Sequence, residues 1–236
     1  MKIQRYQPQK WLALFSVLGV ICLLGVVAYM ENQEDQYEME PAYLRIGSEK
    51  ISVHYVLKID EEKISLEEYR YHFLNTKEAM ENGDESYFLN DTDGSLQRRL
   101  KSDTLTALKE VYAVEKMAKE KNLTLSQQEK EKINNDIENQ VDALGSVSAY
   151  KKALQANYMT NDIYRKIWKT TFYYEKLYRH YFADDKSTGY GTLSPSKEEE
   201  FTENEIKFQA IIAKAADSLI VEYGPEYDLI SIDSLY

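Results

Sequence analysis

The sequence predicts a mainly α-helical domain with a small β element, standing behind one membrane-spanning helix at its N-terminus. Three observations carry that expectation. Residues 11–30 form an uncharged run of about the length that a bilayer core requires. Beyond it, helix-start signals recur ahead of stretches whose apolar residues repeat at about 100° per residue, the period of an amphipathic helix. Only one short stretch, residues 51–59, is rich in the β-branched and aromatic side chains that favour strands.

The N-terminal run predicts the location. Lys2, Arg5 and Lys10 precede it, and Glu31, Glu34 and Asp35 follow it with no compensating Lys or Arg nearby. By the positive-inside rule, residues 1–10 stay in the cytoplasm and everything after residue 30 lies outside, as a single-pass protein of the cell membrane. Trp11, Leu14, Val20, Leu24 and Val27 are the side chains expected to hold this signal anchor in the bilayer. A cleaved signal peptide is the competing reading, because Val26, Val27 and Ala28 are small enough for a cleavage site. The run is longer than a normal signal core, which favours the uncleaved anchor. Cys22, the one cysteine, sits inside the run behind Ile21, so lipidation is not expected. The rest of the chain has no cysteine for disulfides, thiol catalysis or Cys-based zinc sites.

Composition narrows the function classes. The formal net charge of -11 argues against nucleic acid as a partner. Hydrophobic content of 43% is enough for a core, and 29% charged residues suit a well-solvated helical surface. Twenty tyrosines against seven phenylalanines supply rings with polar tips, which suit half-exposed surfaces and interfaces.

In chain order, residues 31–50 read as an acidic tether containing Pro41 and Gly47. Residues 51–59 read as a short strand or hairpin, turned by residues 60–64. Ser65 with Glu68 three residues on is a capping box, opening a helix with Leu66, Tyr69, Phe73 and Met80 as its stripe; residues 82–84 end it. In the polar loop over 84–95, the aspartates 91 and 93 look calcium-like. The loop would have to begin at Leu89 and close at Leu100, neither of which ligates, so a turn is expected and no metal. A long helix over 96–121 turns Leu105, Leu108, Tyr112 and Ala118 inward and stops at Asn122. Ser126 with Glu129 opens the next, whose thin stripe of Ile133, Ile137, Val141 and Leu144 predicts an exposed arm ended by Gly145. Ser146 or Ser148 starts a short helix through Tyr150 and Leu154.

Residues 160–182 form the stretch around which the rest is expected to be arranged. Thr160 is placed to cap a helix, and Asp162 puts negative charge in its first turn. Ile163, Tyr164, Ile167, Thr170, Thr171, Tyr174, Leu177, Tyr178 and Tyr181 share one face; Lys166, Lys169, Lys176 and His180 share the opposite one. Trp168 and Phe172 form an i,i+4 pair beside the stripe, so either a second helix covers them or they are open to other polypeptides.

This order of elements resembles the N-terminal chaperone domain of SurA-like and PrsA-like extracytoplasmic foldases. The likeness rests on "KISLEEYRYHFL" after a short strand, a long helix running into "AKEKNLTLSQQEKEKI", and "SAYKKALQANYMTNDIYRKIWKTTFYYEKLY". It covers residues 51–183 as a helical chaperone domain. In such foldases a parvulin prolyl-isomerase domain usually follows. Here residues 184–200 read as a linker in its place. Thr202 and Glu205 then cap a helix with Ile206, Ala210, Ala213 and Leu219 as its stripe. The tail "LIVEYGPEYDLISI" resembles the family's C-terminal segment, so residues 201–236 are expected to pack back as helix and strand, completing the β element.

The resemblance implies a membrane-anchored, ATP-independent holdase for unfolded secreted or envelope proteins, without isomerase activity and without a cofactor. Catalytic groups are poorly supplied: His54, His72 and His180 lie in separate elements with no metal spacing, and no phosphate loop or nucleophile elbow appears. Trp168, Phe172, Tyr164 and Tyr178 are the candidate client-binding residues. The alternative is an accessory subunit whose same face binds one dedicated membrane or envelope partner; a third reading is an isomerase.

Overall fold

The computed structural model describes residues 41–84, 86–182 and 203–235. The basic segment, the membrane anchor with Trp11, Leu14, Val20, Leu24 and Val27, residues 31–40, the linker over 184–200 and Thr202 lie outside the described residues. Among the described residues, no helix is long and apolar enough to cross a membrane.

Order begins earlier than the expected tether allowed. Strands β1 (Tyr43–Ile46) and β2 (Glu49–Ser52) pair antiparallel, with Ile46 opposite Glu49. Only Gly47 and Ser48 separate them, and Gly47 takes φ +61°, the backbone a two-residue hairpin turn requires. Leu44 anchors the hairpin, being fully buried. Its sequence signal is weak, because the hairpin has one buried side chain and no clear alternation.

The stretch over 51–59, expected as a short strand or hairpin, is shared between two hairpins. Ile51 and Ser52 end β2, and a second hairpin follows from β3 (Leu57–Ile59) and β4 (Glu62–Ile64). Asp60 makes its turn at φ +51°. Strand β5 (Val221–Tyr223) adds antiparallel to the other side of β3, giving the order β4-β3-β5. The C-terminal segment therefore does complete the β element. Asp60 clamps it, since Ile220 N–H donates to its carboxylate at 3.0 Å and Asp60 N–H to the Ile220 carbonyl at 2.8 Å. Gly224 then passes so close that a Cβ would sit 2.4 Å from the Tyr55 carbonyl oxygen, so no larger residue fits there.

Among the described residues, six helices follow the local signals. In α1 (Leu66–Glu81), Ser65 Oγ accepts from Glu68 N–H, and Asn82 in the left-handed region ends the helix. Helix α2 (Ser95–Glu120) begins behind Gly94, which has no side chain to cap with. Asp91 supplies the acceptors instead, taking the N–H groups of Leu96 and Gln97 at 3.0 and 2.9 Å. The calcium-like aspartates are thus helix-start acceptors. In α3 (Gln127–Leu144) the capping box closes in both directions, with Ser126 Oγ accepting from Glu129 N–H and Glu129 accepting from Ser126 N–H at 2.7 Å. Gly145 stops it and Ser146, rather than Ser148, caps α4 (Val147–Ala156). Thr160 caps α5 (Asn161–Tyr181), and α6 is Glu203–Asp217.

The organising helix is α2, not the 160–182 stretch. It packs against α1, α5 and α6. Leu108, Ala113, Val114 and Ala118 on it are fully buried. Its alanines let neighbouring helices approach from more than one side, which no single-stripe pattern announces. Helix α5 bridges two cores. Tyr174, Leu177 and Tyr178 join the main one; Ile163, Tyr164 and Phe172 join a second, built with Tyr71, Ile133, Ile137, Tyr150, Leu154 and Met159.

Helix α6 packs in a different phase from the expected one. Phe208, Ile212 and Ala216 face inward, whereas Ile206 is 59% exposed and Ala210 is also at the surface. Phe208 decides the phase: its ring meets Tyr174 at 4.9 Å and Tyr178 at 5.3 Å between centroids. In the tail Leu219, Ile230 and Leu235 are buried, while Ile220 and Leu229 are exposed. Arg45 N–H donates to the Ser234 carbonyl at 2.9 Å, tying the tail to the first hairpin.

Candidate polypeptide-binding surface

Helix α5 holds Trp168 and Phe172 one turn apart, so their rings stack at 5.7 Å between centroids with 29° between planes. A second helix does cover them, and it is α3, the expected arm. Lys132 places its Nζ 5.6 Å from both ring centroids, a cation over two aromatic faces. Tyr164 donates from its hydroxyl to Asp136, and Arg165 donates to Asn134 Oδ1 at 2.7 Å. Lys176 pairs with Glu129 at 2.7 Å and donates to the Thr124 carbonyl. Beneath these polar ties α3 buries only Ile133 and Ile137, with Val141 and Leu144 half-buried at its far end. The cover is apolar along one thin line and polar around it.

Burial divides the four client-binding candidates. Tyr164 is 1% exposed, Tyr178 4% and Phe172 5%; Trp168 alone is half-buried. Phe172 is the more enclosed of the pair, because its position one turn on from Trp168 points it into the second core. Tyr178 lies instead in the main core, against Phe182 and Phe208. The four are thus not one patch. Burial and the Asp136 carboxylate together push the Tyr164 phenol well above its ordinary pKa, so it stays a donor.

A polar site that periodicity missed lies between α1, α2 and α5. Glu68, assigned to a capping box, turns inward instead and accepts from the Tyr112 hydroxyl at 3.1 Å. Lys166, assigned to the polar face of α5, reaches in and bonds the same carboxylate at 2.6 Å. It also donates to the Tyr112 hydroxyl, its Nζ lying 3.8 Å from that ring's centroid. Burial, then the charge of Glu68, pushes the Tyr112 phenol far up. One turn on from Glu68, burial and then the charge of Lys166 hold the His72 imidazole down at about 3, so it is neutral. The group has one cation, one carboxylate, one phenol and a neutral imidazole, all bound to one another or enclosed. It ties three helices in register. His54 and His180 are exposed and remote in sequence from it. Among the described residues, no group of three or more His, Cys, Asp or Glu side chains is placed to hold a metal ion.

A family model described as the SurA-like N-terminal domain matches residues 1–178, which spans both hairpins, α1 to α4 and all but the last three residues of α5. Neither the curated proteins nor the solved structures yield a match. With three-quarters of its length matched, the chain belongs to the family of the SurA-like N-terminal domain.

Proposed function

We propose that this chain is a membrane-anchored, extracytoplasmic, ATP-independent chaperone that binds apolar segments of unfolded secreted or envelope proteins and carries no prolyl-isomerase activity. The observation that carries the reading is the match of residues 1–178 to a chaperone domain family. The anchor and its orientation rest on the charge asymmetry about residues 11–30.

The working surface is the aromatic ground under α3. The α3 cover adds little apolar burial of its own, and polar ties that share solvent contribute little each. Lifting α3 from α5 costs less than parting α2 from its neighbours. It uncovers Trp168, Phe172 and Ile167 together, rings and aliphatic surface that accept many apolar sequences.

The test uses the full-length chain in mild detergent, without ATP, against two or more unrelated unfolded proteins. Suppressed aggregation of all of them supports the reading. Absence of suppression, with co-purification of one protein from crosslinked membranes, would replace it with the accessory-subunit reading. Protease added to intact cells stripped of wall should digest the domain; protection would overturn the orientation. Acceleration of a proline-limited refolding reaction would overturn the non-catalytic assignment.

A further inference from the structure

Strand β5 presents an open edge with an alternating pattern of main-chain groups. In its register with β3, Asp60 N–H bonds the Ile220 carbonyl and Gly224 N–H bonds the Val56 carbonyl. Antiparallel ladders alternate, so Glu222 is the residue that bonds Lys58, and Val221 and Tyr223 turn their N–H and C=O groups away from β3. Among the described residues, no strand lies beyond β5.

Edges are usually blunted by charged side chains. The opposite edge, β4, follows that rule with Glu62 and Lys63 exposed. The β5 edge carries one charged side chain, Glu222, which is engaged by Lys58, and otherwise presents apolar ones. Three of the seven large exposed apolar side chains among the described residues, Ile220 at 68%, Tyr223 at 56% and Leu229 at 43%, cluster here within ten residues. Tyr223 packs against Tyr227, with ring centroids 4.4 Å apart and planes tilted by 41°, extending the apolar rim beside the edge.

Charge selects the occupant. From residue 217 to the end, the chain carries Asp217, Glu222, Glu226, Asp228 and Asp233 and no Lys or Arg. Lys58 pairs with Glu222 on the sheet's outer face, and Lys101 lies 4.9 Å from the Tyr227 ring centroid; against these two cations the five carboxylates leave the segment net acidic. A second copy pairing β5 with β5 would bring two such acidic segments together, and residues 31–40 of this chain are acidic too. An extended segment alternating apolar and basic residues meets no such repulsion.

We propose that the β5 edge is a second client site, which takes extended polypeptide segments of alternating apolar and basic residues by strand addition. Val221 and Tyr223 exchange main-chain hydrogen bonds with the incoming strand, and its apolar side chains lie against Tyr223 and Tyr227. The inference rests on reading the chain as a polypeptide binder and names the conformation and chemistry of one class of segment.

The experiment measures binding of a labelled ten-residue peptide alternating valine and lysine to the full-length chain in nonionic detergent. Three comparisons accompany it: the valine–glutamate peptide, the valine–lysine peptide N-methylated at every second amide, and the variant Val221→Pro. The Val221 N–H takes no part in the β3 ladder, so proline removes an outward donor only. Each comparison should weaken binding at least tenfold, and peptide should slow amide exchange at Val221 and Tyr223. Equal binding by Val221→Pro, by the N-methylated peptide or by the valine–glutamate peptide would overturn the proposal. If Val221→Pro does not fold, the N-methylated peptide on the unaltered chain decides. A concentration-dependent dimer that Val221→Pro abolishes would assign the edge to a second copy instead. Aggregation suppression that survives Val221→Pro together with unchanged peptide binding removes this edge and leaves the chaperone reading standing. Peptide binding without aggregation suppression does the reverse.

Discussion

Lys166 reaches from α5 to a carboxylate oxygen of Glu68 on α1, 2.6 Å away, across the ring of Tyr112 on α2. One ion pair thereby fixes the relative position of three helices. Both side chains are mostly enclosed, at 24% and 12% exposure. Removing one partner leaves the other charge poorly solvated, which is why broken buried pairs cost far more than surface ones. Lys166→Met should therefore destabilise the fold towards the lower end of roughly 3–5 kcal/mol. The double variant Glu68→Leu with Lys166→Met should recover much of that loss, because no charge remains stranded. Denaturant melts of the two singles and the double give the coupling; simple additivity would mean that the pair does not lock the helices.

His72 makes the same interface sensitive to acid. Folded, its imidazole is held at about 3 by burial and by Lys166; unfolded, it titrates near 6.5. Between those values the unfolded chain binds the extra proton, so stability falls as pH falls from about 6.5 towards 3. The loss approaches about 1.4 kcal/mol for each unit of pKa difference. His72→Leu should flatten this part of the melting temperature's pH profile relative to the parent. Parallel profiles between pH 6.5 and 4 would show that the imidazole is not held neutral.

What was legible in the sequence was local. Ser65, Ser126 and Thr160 start helices because a short oxygen-bearing side chain can satisfy a backbone N–H two or three residues ahead. Asn82 and Gly145 end them because the left-handed backbone suits those residues. What was not legible was long-range. Glu68 has the spacing of a capping box, and nothing nearby in sequence says that Lys166 will claim it. Lys166 lies among lysines on a polar face, yet its long stem reaches a buried carboxylate. The 43–52 hairpin is four residues per strand with one buried side chain, too little for alternation to register. The four candidate client residues shared a helix but not a surface, because α5 divides its length between two cores.

Phe208 shows the cost of reading a short helix by aliphatic spacing alone. The pattern favoured Ile206, but the aromatic at 208 finds Tyr174, Tyr178, Tyr181 and Phe182. Phe208→Ala should cost about 3–5 kcal/mol as a buried large-to-small change, while Ile206→Ala should stay within about 0.5 kcal/mol. Truncation at residue 194 removes Phe208, Ile212, Leu219 and Ile230 together, and should lower the melting temperature by well over the single variant's shift and expose dye-binding apolar surface. A truncated chain that melts unchanged would mean that α6 and β5 form a separate module.

Trp168 and Phe172 separate the packing role of the second core from its proposed binding role. Phe172 is 5% exposed, so Phe172→Ala should cost about 3–5 kcal/mol. Trp168 is half-buried under Lys132, and Trp168→Ala should cost less, about 1–3 kcal/mol. Binding should run the other way. On the proposed reading Trp168 is the member of the pair that a client meets first when α3 lifts, and aromatic anchors dominate such contacts. Trp168→Ala should then weaken aggregation suppression sharply at temperatures where it remains fully folded. Lys132→Ala removes one tie between α3 and the two rings, and should leave suppression intact or raise it, because the cover opens more readily. Circular dichroism melts fix the folded range, and suppression is compared inside it. If Trp168→Ala and Lys132→Ala both leave suppression unchanged there, α3 is a fixed part of the core and clients bind elsewhere on the molecule.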